Sequence, residues 1–127
     1  MWWKQKIIDS PKTKAIAYYR HSAQDRQENS IPIQKEQVGK FARENSIHLI
    51  RELQDEGKSG LSTEWRDGFN KLMELVKNRS VDFKYVLVLD VSRWGRFQDI
   101  DMSAYFRGVC KVYGREVVYT KIGFSQG

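Results

Sequence analysis

"KYVLVLDV", residues 84–91, is a near-continuous apolar run. A strand with one wet face alternates apolar and polar residues, whereas a strand covered by helices on both sides is apolar throughout, so this stretch reads as a buried parallel strand. Its neighbours fit that reading. "KAIAYY" (14–19) is a shorter apolar and aromatic run of strand type, and "IHLIREL" (47–53) alternates as another strand. "REVVYTKI" (115–122) closes the series as a fourth.

Between the strands the period changes from two to about 3.6. In "SIPIQKEQVGKFAREN" (30–45), Ser30 suits a cap and Pro32 a first turn, and Gln34, Val38 and Phe41 share a face. Gln34 is thus a polar residue on an inward stripe. "QDEGKSGLST" (54–63) has the glycines of a loop, and Ser62 or Thr63 can cap the helix of "EWRDGFNKLMELVKN" (64–78), where Trp65, Phe69, Leu72, Met73 and Val76 recur at helical spacing. Met102, Phe106, Val109, Cys110 and Tyr113 form a third helical stripe. The order β-α-β-α-β-α-β predicts an α/β fold, a mainly parallel sheet with helices on both faces and right-handed crossovers. Sites in such folds lie beyond the carboxyl ends of the strands, the edge shared by Ser22 after the first strand and "SRWGR" (92–96) after the third.

The chain has 127 residues, enough for one domain, with a net charge of +6 that favours a polyanionic partner without identifying one. Cys110, the single cysteine, excludes an intramolecular disulfide and fits a reducing setting, expected to be the cytoplasm. No stretch has the length and apolarity of a membrane span, and "MWWKQKIIDSPKTK" lacks the continuous apolar run of a signal peptide. Trp2 and Trp3 can pack on the domain or on a partner.

A serine attacks only with help, and His21, adjacent in an extended chain, would point away from Ser22. Arg20, Arg66, Arg93 and Arg96 stand instead at strand exits and loop-to-helix junctions, off every apolar stripe. Guanidinium groups stay protonated and grip phosphate oxygens in a planar fork. Converging on a serine, they would stabilise a pentacoordinate phosphate and favour the attacking alkoxide. Singly, each is an ordinary surface charge, and Ser22 alone an ordinary turn residue.

Their joint order and spacing resemble the catalytic domain of the serine recombinases, the resolvase and invertase family, from about Lys14 to about Ile122. "YYRHS" resembles the family's Y-x-R-x-S, which makes Tyr18, Arg20 and Ser22 the matching tyrosine, arginine and nucleophile. "SIPIQ" ends in the family's glutamine, Gln34. "DEGKSGLSTEWRDGF" resembles the family's mobile loop and the helix start bearing a further arginine, here Arg66. "SRWGR" resembles D-R-L-x-R and gives Arg93 and Arg96. Ser92 replaces the leading aspartate, as in large members, and leaves the base for Ser22 unassigned; Asp90 does not match that aspartate. Ser59, Ser92, Tyr18 and Gln34 take supporting places. Gln34 has two readings, a direct phosphate contact or a partner for a backbone group, and Tyr18 reads as core or support rather than as an acid.

The resemblance implies attack of Ser22 on a DNA phosphodiester, a 5′-phosphoserine link and a free 3′-hydroxyl, with no metal, ATP or other cofactor. It implies double-stranded DNA and a homo-oligomer, dimer to tetramer, as partners, and no membrane. Residues 14–127 are then the catalytic domain and 1–13 an extension. The family's DNA-reading regions lie beyond this domain, so the chain is expected to be part of a longer protein, and to bind DNA weakly, by charge, on its own.

Rival motifs fare worse. "GKS" (57–59) lacks the P-loop glycine five residues earlier, where Glu52 stands. Asp99 and Asp101 suggest a metal-dependent nuclease but also suit a helix start. His21 and His48 lack metal spacing, and Trp94 can pack on the sheet edge or on DNA. A non-catalytic α/β module whose arginines bind an acidic partner is the remaining alternative.

Overall fold

A computed structural model describes residues 13–21, 30–56, 67–89 and 99–121, with only the backbone described for 99–103. Its elements run β1 (Thr13–His21), α1 (Ile31–Glu44), β2 (Ile47–Glu56), α2 (Asp67–Lys77), β3 (Tyr85–Val88), α3 (Asp99–Val112) and β4 (Glu116–Tyr119). The alternation expected from the sequence is present.

All pairings are parallel and the strand order is β2-β1-β3-β4. The chain leaves β1 toward β2 and then crosses back over β1 to β3, so the direction of winding reverses between β1 and β3. In such sheets the crevice at that reversal, outside the carboxyl ends, is where ligands bind. β1 exits there with Arg20 and His21, and β3 with Leu89.

Alternation along β1 divides the core. Ile16 and Tyr18 face Phe69, Leu72 and Val76 of α2 and Phe106 and Cys110 of α3, joined by Val86 and Val88. Ala15, Ala17 and Tyr19 face Ile31, Val38 and Ala42 of α1, together with Leu87 and Val118. β3 therefore buries both its faces, which is why its sequence is uniformly apolar.

Helix ends follow local chemistry. Ser30 occupies the N-cap position of α1 with Pro32 in the first turn, but its side chain makes no capping hydrogen bond; its carbonyl instead accepts from Gln34 N at 2.9 Å. The capping expected of the Ser30 hydroxyl is thus not made. Gly114, at φ +77°, ends α3 in the left-handed region, and Arg115 N donates back to Cys110 O at 2.7 Å. At the far end of α2 the Arg115 guanidinium donates to Val76 O (3.2 Å) and Asn78 O (2.8 Å), carbonyls that the helix end leaves open, and also to Phe83 O (2.7 Å) in the segment before β3.

β2 corrects the sequence reading twice. Residues 54–56, expected in the loop, extend the strand and pair with Tyr19, Arg20 and His21. β2 is an edge strand held by its ladder rather than by burial, so an apolar pattern cannot mark its end. Its apparent alternation also spans two faces. Ala15 pairs with Leu49 but Ile16 with Arg51, leaving Ile50 as an inserted residue. A one-residue bulge moves all later side chains to the other face. Ile47 and Leu49 accordingly pack toward α1, and Leu53 toward α2.

Cys110 is fully buried, and burial pushes its thiol up to about 12, with nearby Arg115 pulling the other way. In the folded protein it is expected to resist alkylation at pH 8 and to react at the rate of a free thiol once urea unfolds the chain, as mass spectrometry would show.

Candidate active site

The bulge decides what stands at the carboxyl edge. Because Asp55 follows Leu53 onto the α2 face, its carboxylate lies beneath the start of that helix, 8 % exposed. Gly68 N donates to Asp55 Oδ1 at 2.8 Å and Phe69 N to Oδ2 at 2.9 Å. These are first-turn amides, which have no acceptor within a helix, and the negative charge also suits the positive end of the helix dipole. The cap therefore comes from a strand 13 residues away in sequence. Ser62 and Thr63, expected to cap this helix, lie outside the described residues.

Tyr18 Oη donates to Asp55 Oδ2 at 2.7 Å, while its ring meets Phe69 edge-on at 5.9 Å. Tyr18 is fully buried. One carboxylate thus joins β1, β2 and α2. Gly68 permits the approach: a Cβ there would fall 2.5 Å from the Gln54 carbonyl oxygen, too close without backbone movement. Gly68→Ala is expected to lower stability by about 1–3 kcal/mol despite alanine's better helix propensity, as urea titration would measure.

On the opposite face Gln34 is fully buried. Its Nε2 donates to Arg20 O at 2.8 Å, and Arg20 N donates to its Oε1 at 3.3 Å. A primary amide matches one backbone N–H and one C=O, which no carboxylate or hydroxyl of this size does. Gln34 thus partners a backbone group and holds the end of β1 against α1. Gln34→Ala would leave both groups of Arg20 without this partner at a buried site, with an expected loss of about 1–3 kcal/mol in urea titration. Beside this pair, Tyr19 Oη donates to Glu52 Oε1 at 2.6 Å, and burial, then the Glu52 bond, raises the phenol above its usual range, so it remains a donor.

Of the residues singled out in the sequence, Tyr18, Arg20 and Gln34 are brought to one strand exit. Ser22, Ser59, Arg66, Ser92, Arg93 and Arg96 lie outside the described residues, as do Trp2, Trp3, Trp65, Asp90 and Trp94. Two of them directly adjoin described elements in sequence. Ser22 follows His21, the end of β1, and Arg66 precedes Asp67, the start of α2. Asp55 was missed because it sits in a polar stretch read as loop. Among the described residues no helix is long and apolar enough to cross a membrane.

A family model described as "Resolvase, N terminal domain" matches residues 15–125. The chain belongs to that family. It is a serine-recombinase catalytic domain, as its sequence motifs led one to expect. A resolvase family site-specific recombinase from Streptococcus pneumoniae is 31 % identical, with TM-score 0.73 over 91 % of this chain and 76 % of that one. The C-terminal catalytic domain of ISC1926 TnpA, an IS607-like serine recombinase, is 28 % identical, with TM-score 0.67 over 84 % of this chain and 70 % of that one. The N-terminal catalytic domain of TP901-1 integrase, 21 % identical, shares the fold with TM-score 0.72 over 88 % of this resolvase-family chain and 80 % of its own. No curated protein sequence matches.

Proposed function

We propose that this recombinase domain cleaves and rejoins double-stranded DNA through Ser22. The Ser22 oxygen bonds to a backbone phosphorus, the bond from phosphorus to the 3′-oxygen breaks, and that oxygen leaves as a 3′-hydroxyl. The phosphodiester energy is held in the 5′-phosphoserine link, and attack by a 3′-hydroxyl reverses the step. Arg20, Arg66, Arg93 and Arg96 bind the phosphate and offset its added charge in the transition state. Tyr18, Gln34, Ser59 and Ser92 support them.

The observation that carries this reading is the way two catalytic carriers are anchored at one crevice. Gln34 fixes the backbone of Arg20, two residues before Ser22, and Asp55 fixes the first turn of α2, directly after Arg66. Arg20 also shares a face of β1 with Tyr18, the face that α2 covers. Both clasps act on backbone, and neither uses a catalytic side chain.

Residues 14–127 form the catalytic unit and 1–13 an extension; the setting is cytoplasmic, and strand exchange takes place in a tetramer. The test is incubation of the protein with its recombination-site DNA in EDTA, followed by denaturing electrophoresis. Protein attached to a 5′ end supports the reading, whereas cleavage that appears only with added magnesium and leaves no adduct overturns it in favour of a metal-dependent nuclease.

A further inference from the structure

Helix α3 buries Phe106 and Cys110 against the sheet and turns its other side outward. There Tyr105 is 59 % and Val112 70 % exposed, the two most exposed large apolar side chains among the described residues. Ala104 and Gly108, one turn apart, lie between that apolar rim and a second rim formed by Arg107 and Lys111. A cavity of about 540 Å³ runs from these small residues to Arg115 and the first residues of β4, Glu116 and Val117. β4 is the outer strand of the described sheet, so this side of it is covered by none of the other described strands.

Gly108 is the telling residue. Helix interiors disfavour glycine, and close internal packing is the usual reason to keep one. Here a Cβ would meet nothing within 4 Å. The missing side chain opens space outward, above the cavity floor.

The charge around it is one-sided. From Ala104 to Arg115 the chain has no acidic residue, and Arg107 and Lys111 make no ion pair among the described residues. Arg115 is turned away, to the carbonyls at the end of α2, and Glu116 is the one acid in the lining. An apolar rim, a low floor and a basic rim along two turns of one helix match a second helix with an apolar stripe flanked by carboxylates.

We propose that this face docks an acidic amphipathic helix of a partner protein. Its apolar residues lie over Gly108 and Ala104 against Tyr105 and Val112, and its carboxylates reach Arg107 and Lys111. DNA would meet the two cations but has no counterpart for the apolar rim. A second copy of this chain fits less well: α1 exposes Lys35, Lys40 and Arg43, and α2 exposes Lys77, among their acids. The face adjoins the amino end of β4, away from the carboxyl edge that holds the recombination chemistry, so the proposal does not depend on Ser22.

The test uses a fluorescent synthetic helix with leucines on one face flanked by glutamates, the same peptide with lysines for glutamates, and a random 20-base-pair duplex. Saturable binding of the acidic peptide is expected, about ten-fold tighter than that of the basic one. Gly108→Gln occupies the open space and keeps a good helix former, so circular dichroism should show an unchanged fold while peptide binding weakens about ten-fold or more. Arg107→Glu with Lys111→Glu should weaken it about five-fold. Equal binding of both peptides, or binding untouched by Gly108→Gln, overturns the proposal. So does displacement of the acidic peptide by the duplex, which would make this a DNA surface, or self-association in sedimentation that Gly108→Gln abolishes, which would make it a contact between copies.

Discussion

Ser22→Ala is expected to abolish covalent attachment to DNA, a loss of at least about 10⁴-fold in the rate of adduct formation. The substitution removes the oxygen proposed to bond to phosphorus, and a neighbouring water cannot replace it in a reaction that must conserve the phosphodiester. The fold should not suffer. The β1 exit is held by the Gln34 amide on Arg20 and by the ladder to β2, with register pairs as far as His21 and Glu56, and neither uses the serine side chain. Thermal melting and salt-sensitive DNA binding are therefore expected to match the unmodified protein, while the adduct band disappears. Arg93→Ala or Arg96→Ala should slow the reaction by about 10²–10³-fold, as loss of a single group aimed at developing charge does elsewhere. An adduct persisting in Ser22→Ala would refute the assignment of the nucleophile.

That assignment came from the sequence because the chemistry is concentrated in short motifs whose order the chain preserves. The fold was legible for a related reason: β3 is apolar on both faces, as only a strand covered twice can be, and the three helices carry clear inward stripes. The edge strand was harder. β2 places Ile47, Leu49 and Leu53 at even spacing, which in isolation describes a single face, yet Ile50 is inserted between Leu49 and Arg51 and divides them between two cores. Nothing in a period-two pattern reveals a bulge, because it is defined by the partner's register. The same limit hid Asp55. Its partners are backbone amides 13 and 14 residues ahead and a tyrosine 37 residues behind, and no local spacing rule connects them. Gln34 was visible as a polar residue on an apolar stripe, but whether it met phosphate or backbone depended on where β1 ended.

Asp55→Ala is expected to cost about 3–5 kcal/mol by urea unfolding. Three donors lose their acceptor together: the amides of Gly68 and Phe69 and the buried hydroxyl of Tyr18. A buried donor without a partner costs about 1–3 kcal/mol, and water admitted to the cavity recovers part of the sum. Against a usual domain stability of about 5–15 kcal/mol, such a loss is a large share of the total. Asp55→Asn distinguishes hydrogen bonding from mere filling of space. The amide keeps one acceptor oxygen but presents an NH₂ group where the carboxylate received a second donor, so it should fall between the two, about 1–3 kcal/mol below the parent. Tyr18→Phe removes one donor along with its bond and should cost only about 1 kcal/mol. In the Asp55→Ala background it should cost nearly nothing, because the hydroxyl then has no carboxylate to lose, and a double-mutant cycle reads that coupling directly. Additive losses would mean that Tyr18 and Asp55 act independently, and the contribution of the carboxylate would then rest on the Gly68 and Phe69 amides alone. Coupled losses, with slower adduct formation by the Asp55→Asn protein at temperatures where it remains folded, would show that this carboxylate also sets the place of Arg66 at the start of the helix.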